Sequence, residues 1–190
     1  MKAMIRTGLL LGAFAAAGAF AADGAGVVQR DVNQQNRISA GLESGQLTTR
    51  EAASLEHKEA VVDRMEARSM KDGELTAGES AKLDKAQDHL SQSIRTQKHD
   101  GQTGNPDSAS AERMQASVQR SANQEMRIQQ GLESGSLSGQ EAARLEHGQA
   151  KANYRQARAG ADGHVGAAES HGLQHQQTRQ SARIHQKKHN

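Results

Sequence analysis

The chain carries the same 17-residue block twice. Gly41–His57 reads GLESGQLTTREAASLEH, and 90 residues later Gly131–His147 reads GLESGSLSGQEAARLEH. Aligned at that offset, Asn33–Asp100 and Asn123–Asn190 share 30 identities over 68 positions without a gap. A duplication of this length limits the architecture before any residue is assigned, because each copy must adopt the same local structure. Asp72-Gly73 recurs as Asp162-Gly163, Glu79-Ser80 as Glu169-Ser170, Leu83 as Leu173 and Ile94 as Ile184. Between the copies lies a polar stretch, HDGQTGNPDSAS, with the only proline of the chain, Pro106.

Each copy reads as about three helices. Val28, Val32 and Ile38 mark a first helix over roughly Val27–Leu42, which Ser44-Gly45 ends, glycine being the residue that accepts a left-handed C-terminal position. Thr48-x-x-Glu51 opens a second helix as a capping box, with Leu55, Val62 and Met65 as its apolar stripe. Asp72-Gly73 breaks that helix. Thr76-x-x-Glu79 opens a third, carrying Leu83, Leu90 and Ile94. The second copy begins near Asp107 or Ser108 as N-cap and repeats the plan with Ser138-x-x-Glu141 and Gly166-x-x-Glu169. The expected fold is all-α, with two units of three helices at 22–100 and 111–190 joined by a flexible linker at 101–110.

Lys2 and Arg6 precede an apolar run, Leu9–Phe20, and Ala19-Phe20-Ala21 supplies a small-x-small cleavage pattern. This predicts a signal peptide over 1–21 and a soluble, exported chain, periplasmic or secreted. The run is too short for a permanent membrane span. Without cysteine, disulfides and thiolate metal sites are excluded. Beyond Lys2 and Arg6, 22 basic residues face 22 acidic ones, a balance that argues against nucleic acid as partner. Beyond the leader Tyr154 is the lone Phe, Trp or Tyr residue, so the core must come from scattered Leu, Ile, Val, Met and Ala and should form thin helical layers.

The helix corners carry the sequence's metal-binding signal. Asp72-Gly73-Glu74-Leu75-Thr76-Ala77-Gly78-Glu79 and Asp162-Gly163-His164-Val165-Gly166-Ala167-Ala168-Glu169 resemble positions 5 to 12 of an EF-hand calcium loop. Ser44-Gly45-Gln46-Leu47 with Thr48 and Glu51, and Ser134-Gly135-Ser136-Leu137 with Ser138 and Glu141, give two more such loops. The resemblance implies an EF-hand-like scaffold, as in small exported proteobacterial proteins with this repeated corner motif. It implies candidate Ca²⁺ ligands at Asp72, Glu74, Thr76, Glu79, Asp162, His164, Glu169, Ser44, Thr48, Glu51, Ser134, Ser138 and Glu141. All four loops depart from the family at its first position, which is Ala40, Arg68, Gln130 and Arg158 rather than aspartate. The same residues also serve as C-capping glycines and capping boxes.

A second signal is the histidine enrichment of the second copy. His171/His175 and His185/His189 are each four residues apart, which places both imidazoles of a pair on one helical face. Such pairs suit Zn²⁺, Ni²⁺ or Cu²⁺ better than Ca²⁺. The side opposite Leu173 and Ile184 should face solvent. His57 and His147, which follow Leu-Glu in both copies, read as packing or hydrogen-bonding residues. The remaining carboxylates look scattered over helix faces as solvated charges or i, i+4 partners. No nucleophile elbow, phosphate loop or HExxH motif occurs. These readings converge on a non-enzymatic, exported binder of divalent cations. The alternative is a metal-free structural or protein-interaction module on the same helical scaffold.

Overall fold

A computed structural model describes the backbone of residues 15–189 and the side chains of residues 24–189. The basic start of the predicted leader, and its apolar run up to residue 14, lie outside the described residues. Among these the structure is all-helical, in the order α1 (Ala15–Glu43), α2 (Thr49–Ser69), α3 (Ala77–Lys98), α4 (Ala109–Glu133), α5 (Gly139–Ala159) and α6 (Ala167–Lys188). Helices α2 and α5 begin and end 90 residues apart, as do α3 and α6. None of the helices is long and apolar enough to cross a membrane among the described residues.

Local chemistry sets the boundaries. Thr48, Thr76 and Ser138 cap α2, α3 and α5, each accepting from the N–H three residues on while Glu51, Glu79 or Glu141 reaches back. Ser108, rather than Asp107, caps α4. The GLESG block holds two glycines with different tasks. Gly45, at φ 70, takes the left-handed turn that ends α1. Gly41 makes room for the buried Leu47 folding back over the helix end, since a β-carbon there would stand 2.6 Å from Leu47 Cδ1. The Leu47 N–H then bonds to the Gly41 carbonyl at 2.9 Å.

The two sets of helices share one interior. Val28, midway along α1, packs with Ile128 and Leu132 at the end of α4. Ile38 and Leu42 at the end of α1 pack with Met114 and Val118 at the start of α4. The two helices therefore run antiparallel. So do α2 and α5, with Ala53 meeting Ala159. Helix α3 lies across α1 and α2, and α6 across α4 and α5. The linker expected to be flexible instead lies against the first corner, where the Gly104 N–H donates to the Gly45 carbonyl at 2.8 Å. Apolar clusters occupy the ends of the bundle. Its middle is polar.

Candidate metal centre

That polar middle consists of carboxylic acids. Asp31 of α1, Glu56, Glu59, Asp63 and Glu66 of α2, Glu125 of α4 and Glu146 of α5 are all fully buried. For these seven, this corrects the expectation of solvated charges or i, i+4 partners. On α2 the four acids fall at intervals of three, four and three residues, one continuous stripe at helical spacing. The helix packs that stripe inward beside Leu55 and Val62, against α1, α4 and α5.

No lysine, arginine or histidine is buried among the described residues. The charge of Arg30 reaches Asp31, but its guanidinium is half-exposed and pairs with Asp84 at 3.2 Å and with Asp88. Arg64, Arg68, Lys71 and Arg144 line a cleft on the outer side of α2 and α5, with His147. The basic charge thus stays on the surface and the acidic charge stays in the core.

Among the described residues, two sets of three acidic or histidine side chains bring ligand atoms within 4.8 Å of one another: Asp31, Asp63 and Glu66, then Asp63, Glu125 and Glu146. Asp63 belongs to both. The amides around them set the geometry. Gln87 Nε2 donates to Asp31 Oδ1 at 2.8 Å, to Glu66 Oε1 at 3.1 Å and to the Val27 carbonyl at 3.0 Å. Asn153 Nδ2 donates to Asp63 Oδ2 at 3.0 Å, and Gln35 Nε2 to Glu56 Oε2 at 3.3 Å. These bonds leave much unmet. Both oxygens of Glu59, Glu125 and Glu146 lack a hydrogen-bonding partner, as do Asp63 Oδ1, Glu66 Oε2 and Asp31 Oδ2. The amide oxygens of Gln35, Gln87, Gln149 and Gln156 are likewise without one.

Burial and crowding together push these acids toward the protonated form. Removal from water raises Glu56 to about 8 despite the Gln35 hydrogen bond. It raises Asp31 to about 7, against the opposing pull of Glu66, Gln87 and Arg30. Burial also holds Glu59, Asp63, Glu66, Glu125 and Glu146 well above the carboxylate range, with neighbouring acids adding to the shift in each case. An ionised carboxylate in such a place costs several kcal/mol unless it is paired. Seven cannot be ionised together without cations among them.

The duplication supplies an internal comparison. Asp31, Asp63 and Glu66 correspond to Ser121, Asn153 and Gln156 in the second copy, and Glu59 corresponds to Gln149. These are neutral groups, a smaller hydroxyl at Ser121 and amides of nearly the same shape at the other three positions, and the first three bond to one another. Ser121 Oγ donates to Asn153 Oδ1 at 3.1 Å, and Gln156 Nε2 donates to Ser121 Oγ at 2.7 Å. The flanking amides match too: Gln34 Nε2 reaches the Gln87 carbonyl at 2.8 Å, and Gln124 Nε2 the Gln177 carbonyl at 2.7 Å. One frame is therefore present twice, acidic in the first copy and neutral at the matching positions of the second. The amide version holds its own network together with hydrogen bonds. The acidic version relies on Gln87 and Asn153 and leaves several carboxylate oxygens without a partner.

The residues singled out from sequence lie elsewhere. Glu51, Glu79, Glu141 and Glu169 each turn one carboxylate oxygen to a helix start, accepting from Thr48 N at 2.8 Å, Thr76 N at 3.0 Å, Ser138 N at 3.2 Å and Gly166 N at 2.8 Å. The Ser138 N–H lowers the Glu141 carboxyl. Asp72 accepts from the Glu74 N–H at 3.2 Å and Asp162 from the His164 N–H at 2.8 Å. Ser44 and Ser134 hydroxyls turn back to the Ala40 and Gln130 carbonyls at 2.8 Å and 2.7 Å. The structure does gather the histidine pairs, on exposed faces: the His171 and His175 ring centroids are 4.5 Å apart, those of His185 and His189 4.3 Å. His57 lies beside Tyr154, with ring centroids 5.9 Å apart. None of these residues belongs to a group of three clustered acidic or histidine ligand atoms among the described residues.

The buried centre had a signal in the sequence. E-x-x-E-x-x-x-D-x-x-E over Glu56–Glu66 returns as E-x-x-Q-x-x-x-N-x-x-Q over Glu146–Gln156. Acids exchanged for their own amides at helical spacing mark positions where shape is held and charge is altered. That is the behaviour of packed positions rather than solvated ones.

Comparisons with protein-family models, curated proteins and solved structures found no match to this chain.

Proposed function

We propose that the protein binds hard metal cations inside the helical bundle, at the acid cluster formed by α1, α2, α4 and α5. One observation carries this reading: seven fully buried carboxylic side chains with no buried basic residue beside them, many of their oxygens without a partner. A cation among them would replace missing hydrogen bonds with ionic contacts and relieve the mutual repulsion. The available donors are carboxylate, amide and hydroxyl oxygens, which suit Ca²⁺, Mg²⁺ or Mn²⁺ rather than the softer metals that prefer nitrogen and sulfur. The donors come from elements far apart in sequence, so the site would exist only in the folded chain, and binding would add directly to stability.

In this reading the chain holds cations rather than transforming a substrate, and its export follows from the predicted leader. The corners that resemble EF-hand loops act as helix junctions, and the exposed histidine pairs are separate from the interior site. A metal-free structural module is the competing reading, favoured by the raised acids, which when protonated can hydrogen-bond to one another and to the amides.

A thermal melt followed by far-UV circular dichroism separates the two. Against chelator at neutral pH, Ca²⁺ or Mn²⁺ at about 100 times its dissociation constant should add ~2.7 kcal/mol, or roughly 5–11 °C for a chain of this size. Identical melts with chelator, Ca²⁺, Mg²⁺ and Mn²⁺ would leave the protonated, metal-free core as the reading.

A further inference from the structure

We infer that the centre is built for two cations held side by side, with the Asp63 carboxylate bridging them. This rests on the cation-binding reading above and adds a number, a geometry and a division of labour among the residues. The first position takes Asp31 and Glu66 with Asp63; the second takes Glu125 and Glu146 with Asp63. Asp63 is the one residue shared by the two triads. Its two oxygens are differently placed, since Oδ2 accepts from Asn153 and Oδ1 has no partner. A carboxylate that gives one oxygen to each of two metal ions holds them about 3.5–4 Å apart, the usual separation in two-metal sites.

A single ion does not satisfy this arrangement. Placed with Asp31 and Glu66, it leaves Glu125 and Glu146 fully buried against each other with no positive charge beside them. Placed with Glu125 and Glu146, it leaves Glu66 Oε2 and Asp31 Oδ2 buried and without a partner. Two ions reach both ends of the cluster. Independent of either triad, Glu59 is fully buried with neither oxygen partnered, and it stands in the field of Asp31, Asp63 and Glu125. It is placed to serve either ion. The Gln149 side chain is also fully buried, and its amide N–H faces the Glu125 carboxylate and helps position it.

The duplication shows why the pair is not doubled again. The twofold counterpart of the first position is Ser121, Asn153 and Gln156, which carries no charge and closes on itself through hydrogen bonds. Asn153 in turn donates to Asp63. The neutral triad of the second copy thus positions the bridging residue of the first.

Equilibrium dialysis of the chelator-stripped protein against Ca²⁺ and against Mn²⁺, followed by elemental analysis, counts the ions. Two per chain are expected. In the Mn²⁺ form, low-temperature electron paramagnetic resonance should show a spin-coupled pair instead of the six-line spectrum of isolated ions. Glu66→Gln and Glu146→Gln should each reduce the count from two to one and restore the six-line spectrum, and Asp63→Asn should abolish the coupling. Each variant installs the amide of the acid it replaces, a type of side chain the second copy already buries, and circular dichroism checks that the helices remain.

One ion per chain, or two uncoupled ions whose number is unchanged in Glu66→Gln and Glu146→Gln, would overturn the bridged pair while leaving cation binding intact. No bound Ca²⁺ or Mn²⁺ would remove both readings.

Discussion

Without metal, the protein should lose stability as the pH rises from 5 to 8, the reverse of what carboxylates usually produce. Glu56 shows why. Burial raises its carboxyl from 4.5 to about 8, so between those values the folded chain keeps a proton that the unfolded chain releases. Stability is fully present below the unfolded value and is lost as pH climbs through the folded one. At about 1.4 kcal/mol per pH unit, Glu56 alone accounts for roughly 4 kcal/mol between pH 5 and 8. For a chain of this length that is on the order of 10 °C in melting temperature. Asp31, raised to about 7, pushes the same way over the lower part of the range. Melts or urea titrations in chelator at half-unit pH steps would measure the slope, and Glu56→Gln should flatten it. With saturating Ca²⁺ the sign should reverse, because bound carboxylates must be ionised and protons then compete with the metal. A metal-free stability that is flat, or that rises, between pH 5 and 8 would refute the reasoning. It would mean that water or a rearranged core already solvates these acids.

Two substitutions test other parts of the structure. Glu59→Gln should stabilise the metal-free protein at pH 7.5 by about 1–4 kcal/mol, because it replaces an unpartnered buried acid with the residue found at its counterpart, Gln149. The same change should weaken cation binding; a lower urea midpoint in chelator would show that the Glu59 charge is not a liability. Gly131→Ala should cost about 1–3 kcal/mol, since its β-carbon would stand 2.4 Å from Leu137 Cδ1. Gly172→Ala, where a β-carbon meets nothing within 4 Å, should instead gain about 0.4–1 kcal/mol. Equal effects of the two changes on the urea midpoint would contradict the close approach.

Local structure was legible in the chain because its causes are local. The capping boxes at Thr48, Thr76 and Ser138 and the left-handed turns at Gly45 and Gly73 depend on residues a few positions apart. The apolar residues read from helical spacing, from Val28 and Ile38 to Leu90 and Ile94, are buried in the fold, with Met65 half-buried. The all-helical class followed from these and from a composition poor in aromatics and proline.

What the sequence left open was which face of each helix meets another helix. An acid at helical spacing looks alike whether it faces water or a partner, and Glu59 and Lys58 differ in fate only because α2 meets its neighbours along the side that carries Glu56, Glu59, Asp63 and Glu66. The Asp63–Asn153 contact joins residues 90 positions apart, and none of the cues near either residue specifies it. Length, duplication and caps therefore determined six helices and most of their ends, but not the start of α1, which was expected near Val27 and lies at Ala15. Tertiary packing alone decided that Asp31 and the α2 acids of the first copy would be buried together with Glu125 and Glu146 of the second, because burial is a property of the assembled interior and not of any single helix.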